Sequence, residues 1–438
     1  MTTGFAELRP PMTRAEALVE ADRCLECGGP YAAAPCATAC PADVDVPEFV
    51  RALSTGDAAS AAATIVAENL LGGTCSRVCP VEMLCEGACV LPSEGRRPIE
   101  IARLQRYATE HGNLAAAFDA RPRKRSSGRR VAVIGAGPAG LACAGELALL
   151  GHDVTVYDER GETGGLARFA IAPYRIDSAP IPSETHLLEV LGVRFRLGLR
   201  VESRDLRALA ATVDAVFLGI GMGADADVRY PGDELPGVWD SLAFVRTLKT
   251  EAPPDVGRRV VVIGGGNTAI DMAREAVRLG AEQVTMIYRR TRSEMPAYPF
   301  EIDEAEDEGV RFQWLSSPVR FVGDRRLHGI ECRLMHLGEP DQSGRRRPEP
   351  IDDSEFIIPA DTAIKAIGQC GHPELASWIT NLETDGGTVT ADPLTGQTRN
   401  PKFFTGGDAI NGGATVVEAV RDGKRAAKAI DEWLRCES

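Results

Sequence analysis

Two stretches of the chain repeat one hydropathy pattern. An apolar run, Arg130-Val-Ala-Val-Ile134, leads into a glycine-rich segment, Gly135 to Gly140, and then a helical pattern from Leu141 to Leu150. A second apolar run, Val154 to Tyr157, follows. The same succession recurs as Val260 to Ile263, Gly264 to Ala269, Ile270 to Leu279 and Val284 to Tyr288. Short unbroken apolar runs between turns read as strands, and strand–turn–helix–strand units read as a parallel sheet. Two copies predict two dinucleotide-binding folds, with Glu251-Ala-Pro-Pro254 at the entrance to the second. After about residue 365 short strands return, followed by a helix over Val416 to Leu434. That tail is too short to stand alone and is expected to complete the first fold.

Residues 1 to about 120 have a different texture, helical and alanine-rich. Thr13 with Glu16 makes a capping box that opens a helix running into Cys24. A further helix is expected over Asp57 to Leu70, ended by Gly72–Gly73. Residues Arg121 to Arg130 hold six basic side chains and read as a solvated linker rather than a binding patch.

Composition narrows the function classes. The net charge of −14 gives a nucleic-acid role no electrostatic support. Val131 to Gly151 is the most apolar stretch, but its glycines and Glu146 fit strand–turn–helix better than a membrane span. Met1 to Arg23 lacks an export pattern, so a cytoplasmic location is expected. Of twelve cysteines, eight lie between Cys24 and Cys89. In a reducing compartment such clusters bind metal more often than they form disulfides.

The cysteines fall in two groups, Cys24-x2-Cys27-x8-Cys36-x3-Cys40-Pro41 and Cys75-x3-Cys79-Pro80 with Cys85-x3-Cys89. A cysteine followed by proline closes the bacterial ferredoxin motif and serves the other cluster of a pair. Two interleaved [4Fe–4S] clusters are therefore expected. Zinc sites also use Cys-x2-Cys, but two Cys-Pro pairs beside two nucleotide folds favour electron transfer.

The run from Cys24 to Ala108 resembles the N-terminal domain of the glutamate synthase small subunit and of dihydropyrimidine dehydrogenase. The matching residues are Cys40-Pro-Ala-Asp-Val-Asp-Val-Pro47, Gly73-Thr-Cys75-x3-Cys79-Pro80, Cys85-Glu-Gly-Ala-Cys89 and Pro98-Ile-Glu-Ile-x2-Leu-Gln105. The resemblance implies one cluster on Cys24, Cys27, Cys36 and Cys89. It implies a second on Cys40, Cys79 and Cys85, completed by Gln105. Counting cysteines alone would choose Cys75 instead; the resemblance leaves it packed beside the cluster. The insertion Gly28 to Pro35 departs from the shorter family gap, although the Cys-x3-Cys-Pro continuation is intact.

The first glycine turn, Gly135-x-Gly137-x-x-Gly140, lies between a strand and a helix and suits a pyrophosphate at the helix N-terminus. Asp158, at the end of the next strand, is placed to accept from ribose hydroxyls. By resemblance, Gly164-Gly165-Leu166, Arg175 and Val201 contact a flavin, and Thr405-Gly-Gly407-Asp408 is the second flavin signature. Thr415 and Glu418 form another capping box, whose helix the family directs at the flavin ring. The second turn runs Gly264, Gly265, Gly266, Asn267, Thr268 and Ala269. Its following strand ends in Arg289-Arg290 rather than an acid, which suits the 2′-phosphate of NADPH, with NADH as the alternative. Ala366-Ile367-Gly368 resembles a family segment that contacts the nicotinamide nucleotide.

The expected architecture is α/β. A helical iron–sulfur domain (1–125) precedes an FAD-binding domain in two parts (126–252 and 366–438), with an NAD(P)H-binding domain (253–365) inserted. The expected activity is hydride transfer from NAD(P)H to FAD, followed by single-electron transfer through the clusters, with no catalytic base. The leading expectation is the electron-input subunit of a glutamate synthase-like complex, partnered by a large subunit. The alternatives are the input subunit of a two-chain dihydropyrimidine dehydrogenase, an independent oxidoreductase acting on ferredoxin or sulfur compounds, and a non-enzymatic scaffold.

Overall fold

The computed structural model describes residues 7–29, 32–177, 179–250, 253–341 and 344–436. Pro30 and Tyr31 of the inserted loop, Glu251 and Ala252 of the domain entrance, and the first six residues lie outside these. The chain forms two compact units. The larger is built from Glu7–Arg168, Arg175–Gly223 and the chain from Gly371 onward; the smaller from Phe169–Tyr174 and Ala224–Cys370.

In the larger unit, five parallel strands run in the order Phe403–Thr405, Ala215–Leu218, Arg130–Ile134, Asp153–Asp158, Arg194–Leu197. The returning tail thus completes the first sheet, pairing Phe403–Thr405 with Val216–Leu218. The central strand is buried from Val131 to Ile134, which explains its unbroken apolar run. The Val416–Cys436 helix lies against the Pro138–Leu149 helix so closely that a Cβ on Gly423 would sit 2.2 Å from the Ala139 carbonyl oxygen.

The N-terminal helices pack onto this fold. Thr13 and Glu16 form the expected capping box ahead of Arg14–Asp22. Asp45 caps Val46–Ser54, and Asp57 caps Ala58–Glu68. The glycine pair was expected to end this last helix. Instead the helix stops at Glu68, where Asn69 turns to extended backbone, and Gly72 and Gly73 open the next helix, Gly72–Val78. Packing selects the glycines: a Cβ on Gly72 would lie 2.5 Å from Ile65, and one on Gly73 3.2 Å from Glu184. Phe49 and Ile65 from these helices and Leu104 from the Ile101–His111 helix share one continuous core with Val131, Leu141, Phe217, Val420 and Ile430 of the sheet and its helices. Each such side chain contributes about 1.5–3 kcal/mol by leaving water, so the helical part and the sheet stabilise each other.

The basic stretch is strapped to its surroundings. Arg121 pairs with Glu146 at 2.9 Å, Lys124 with Asp431 at 3.2 Å and Arg129 with Asp214 at 3.3 Å. Arg123 also pairs with Asp119, at 2.8 Å, so these charges are met by carboxylates of the same unit.

The smaller unit holds the second parallel sheet, in the order Val238–Asp240, Thr362–Lys365, Arg259–Ile263, Gln283–Ile287, Arg311–Gln313. An antiparallel sheet of Ser316–Gly323, Leu327–Pro340 and Arg346–Pro359 adjoins it in sequence, an element the hydropathy pattern did not announce. The short segment Phe169–Tyr174 belongs to this unit as well. Tyr174 is fully buried, its hydroxyl donates to Asp271 at 2.6 Å, and its ring lies 5.0 Å and 4.2 Å from the guanidinium carbons of Arg274 and Arg278.

Candidate functional site

Three cysteines close in sequence and a fourth far along the chain line one apolar chamber. Cys24, Cys27, Cys36 and Cys89 face it together with Val46, Val50, Leu91 and Ile101. Burial pushes the Cys36 thiol up to about 11, and the neighbouring Cys24 adds to the shift. Cys24 is raised for the same reason, with Cys27 and Cys89 contributing. Thiolates crowded in an apolar pocket are unfavourable unless metal takes the place of their protons. A metal cluster meets that demand, and backbone N–H groups of Glu26 and Ala37 already point at Cys24 and Cys36.

The remaining cysteines form a second group. Cys79 is hydrogen-bonded to Cys75, which with burial raises it well above the usual thiol range, and Cys85 and Cys40 add to the shift. Burial likewise raises Cys40 and Cys85. The N–H groups of Val44 and Ala42 point at the Cys40 sulfur. Cys75 is buried on the Gly72–Val78 helix. Gln105, on Ile101–His111, donates its amide nitrogen to the Gly72 carbonyl at 2.7 Å, at the start of that same helix. Sequence reasoning missed Glu184. It is buried on the Pro180–Val190 helix, and it accepts from the Thr74 amide at 2.9 Å and the Thr74 hydroxyl at 2.5 Å, capping the cysteine-bearing helix. Nothing marks it in the sequence, because a lone glutamate within a helix usually faces solvent. Among the described residues no three His, Cys, Asp or Glu side chains are gathered tightly enough to clasp a single ion.

The two glycine turns separate what packing demands from what a ligand demands. Gly135 has φ +103°, and a Cβ there would lie 2.2 Å from the Gly219 carbonyl oxygen; a Cβ on Gly140 would lie 1.9 Å from the Gly135 oxygen. Gly137 differs, since among the described residues the only atom within reach of its Cβ would be the Gly165 Cα at 3.8 Å. In the second turn a Cβ on Gly264 would meet the Ala366 oxygen at 2.1 Å and one on Gly265 the Tyr288 ring at 2.4 Å, whereas one on Gly266 would meet none of the described residues within 4 Å. The middle glycines thus leave open ground. They are also the N-caps of the Pro138–Leu149 and Asn267–Arg278 helices, and neither has a side-chain cap. Free amides above open ground suit a pyrophosphate. Both cradles therefore fit a dinucleotide.

Around the first cradle, Asp158 accepts from the Ala136 amide at 2.7 Å and the Arg160 amide at 2.8 Å, which fixes its carboxylate beside the turn. Gly165 has φ +52°, and a Cβ there would lie 2.8 Å from the Gly137 Cα. Leu166, Arg175 and Val201 are half-buried. Gly407, at φ +68°, donates its N–H to Asp422 at 3.1 Å. Asp408, raised by burial, accepts from Ala414 at 3.0 Å. Thr415 and Glu418 form their capping box at 3.0 and 3.2 Å.

Around the second cradle, Asn267 accepts from the Tyr298 amide at 2.9 Å, and Thr268 is exposed. The two arginines diverge. Arg290 is buried and donates to Asp341 at 2.8 Å and the Arg346 carbonyl at 2.7 Å. Arg289 is exposed and has no ion-pair partner among the described residues. Ala366 covers Gly264, Ile367 is half-buried, and Gly368 turns outward at φ +106°.

Comparison with known proteins bears on these sites. A family model described as pyridine nucleotide-disulphide oxidoreductase matches residues 129–423. One described as dihydropyrimidine dehydrogenase domain II, 4Fe-4S cluster, matches residues 1–116. The glutamate synthase (NADPH) small chain of Halomonas elongata is 37% identical over 98% of this chain and 93% of its own. The chain belongs to the glutamate synthase small-chain family. It is an NAD(P)H-dependent flavin oxidoreductase with a 4Fe–4S domain. The NADPH-Fe(3+) oxidoreductase subunit beta of Geobacter sulfurreducens is 37% identical, covering 92% of this chain and 64% of that relative. Among solved structures, Mycobacterium tuberculosis FprA in complex with NADPH shares the fold at a TM-score of 0.57, with 21% identity over 70% of this chain and 84% of that one. Among the described residues no helix is long and apolar enough to cross a membrane.

Proposed function

We propose that this chain is the electron-input subunit of a larger reductase, taking hydride from NADPH and passing single electrons to a partner chain. The observation that carries the reading is that the four-thiol chamber and the flavin fold lie in one unit with one core. When bound, FAD takes an electron pair as hydride and the clusters carry electrons singly. The chain's residues bind and orient. Open ground at Gly137 and the free amides of Pro138–Leu149 receive the FAD pyrophosphate, Asp158 the ribose, and Asp408 the ribityl chain. The N-terminus of Val416–Cys436 stabilises negative charge on the reduced ring. Gly266 and its helix receive the NADPH pyrophosphate, and Arg289 pairs with the 2′-phosphate.

Cys24, Cys27, Cys36 and Cys89 hold one cluster; Cys40, Cys79, Cys85 and Gln105 hold the other, with Cys75 packed beside it. The partner is a catalytic chain resembling the glutamate synthase large subunit. Support comes from relatives whose names make them subunits, the Halomonas small chain and the Geobacter subunit beta. A reducing compartment, the cytoplasm, suits eight clustered thiols. The test is anaerobic purification from the native source, with iron, sulfide and flavin analysis and identification of the co-purifying chain. NADPH should bleach the flavin rapidly. Zinc in place of iron, or full FAD that neither nicotinamide nucleotide bleaches, would sink the proposal. A dihydropyrimidine dehydrogenase-like partner or a ferredoxin would replace only the partner assignment.

A further inference from the structure

Three consecutive residues of the Val416–Cys436 helix touch three different parts of the larger unit. Asp422, buried, accepts from the Gly407 amide at 3.1 Å in the flavin-signature loop. Gly423 lets the helix close on Ala139 of the pyrophosphate-binding helix. Lys424, buried, donates to the Ala42 carbonyl at 3.0 Å, the Glu68 carbonyl at 2.6 Å and a Glu68 carboxylate oxygen at 2.7 Å. Ala42 lies two residues beyond Cys40, and its N–H points at the Cys40 sulfur. One rigid helix therefore grips the flavin loop and the Cys40 loop within a single turn.

A lysine ammonium that merely caps the Ala58–Glu68 helix could sit at the surface. This one is taken out of water, and its carboxylate partner is 44% exposed, so its charge is only partly offset in the direction of the thiols. We propose that Lys424 is a positioning residue for flavin-to-cluster electron transfer: it fixes the Cys40 loop relative to the flavin loops and lends positive charge to the cluster held there. The inference rests on the assignment of Cys40 to a cluster. In the step it serves, the cluster gains one electron as the reduced flavin loses one. Two such steps discharge the pair that entered as hydride, and the proton goes to solvent. A cluster that has gained an electron is more negative, and a nearby buried cation favours that state.

The test is an EPR-monitored redox titration of the full chain with both clusters loaded, alongside iron and sulfide analysis. Lys424→Met should make reduction of one cluster about tenfold less favourable, a fall of 59 mV in its one-electron potential, and leave the other cluster unchanged. Lys424→Arg, which keeps the charge, should restore most of the potential. Glu68→Gln, altering a partly exposed side chain, should shift the same cluster in the opposite direction. A purely structural cap would move none of these potentials while the clusters stay loaded; unchanged potentials in loaded Lys424→Met overturn the inference. If that variant loses its iron, the Glu68→Gln shift decides, and no upward shift there overturns it equally. Wild-type protein holding zinc would instead remove the underlying cluster assignment.

Discussion

Replacing Arg289 and Arg290 one at a time separates nucleotide choice from folding. Arg290 is buried, with its guanidinium committed to Asp341 at 2.8 Å and the Arg346 carbonyl at 2.7 Å. Its removal leaves Asp341, whose side chain is 26% exposed, without that partner. Breaking a fully buried pair costs about 3–5 kcal/mol, and this partial exposure lowers the figure to about 2–3 kcal/mol. Arg289 has no such commitment and is exposed beside the second cradle. A charge-assisted contact to the 2′-phosphate contributes about 1.5–3 kcal/mol, or roughly 10- to 150-fold in affinity. Arg289→Ala should therefore raise the NADPH concentration for half-maximal flavin bleaching by that factor, leave NADH within about twofold, and keep the wild-type melting temperature. Arg290→Ala should lower the melting temperature and impair both nucleotides alike. Stopped-flow bleaching with each nucleotide, paired with thermal melts, measures both effects. Equal losses with NADPH and NADH in Arg289→Ala, or a selective NADPH loss in Arg290→Ala at unchanged stability, would refute the division of roles.

Further outcomes follow from the same geometry. Gly266→Ala should fold normally yet lose nucleotide affinity, whereas Gly264→Ala, strained at φ +146° and blocked by the Ala366 oxygen, should unfold at lower temperature; calorimetry with a binding titration separates them. Cys36→Ser should cost one cluster, and Cys75→Ser should leave both assembled; iron per chain and the EPR signals report which. Burial raises Glu275 to about 7, and one of its carboxylate oxygens has no hydrogen-bond partner among the described residues. Its folded value lies above the unfolded one, so its contribution to stability is present below pH 4.5 and lost as pH rises through 7, about 3 kcal/mol in all. Glu275→Gln should therefore gain on wild type in melting temperature between pH 5 and pH 8; a pH-independent difference would disprove this.

The elements most legible in the sequence were those where one local rule decides. The strand Arg130–Ile134 is apolar because both of its faces are covered, and the Thr13–Glu16 and Thr415–Glu418 caps need only their own four residues. Gly72 and Gly73 misled because glycine after a helix usually marks its end, whereas here distant side chains on Ile65 and Glu184 leave no space for a Cβ. The antiparallel sheet escaped notice because Arg346–Pro359 carries prolines and charges on a largely exposed strand, and its register with Leu327–Pro340 is interrupted by bulges. At the site, local spacing marks each cysteine but cannot say which thiols meet. Cys89 reaches the chamber of Cys24 and Cys27 only through the tertiary path of the helices between them. Asp422 and Lys424 look like solvated charges on an amphipathic helix, and only the packing turns them inward.

The continuous core joining Phe49, Ile65 and Leu104 to Val131, Phe217 and Ile430 limits how this molecule can be divided. Severing the chain near residue 120 would cut through that shared core and open apolar side chains on both fragments to water. The thiol-bearing region is thus no detachable cassette. Grafting it onto another reductase would require carrying the first sheet and the terminal helix with it, as one inheritable block.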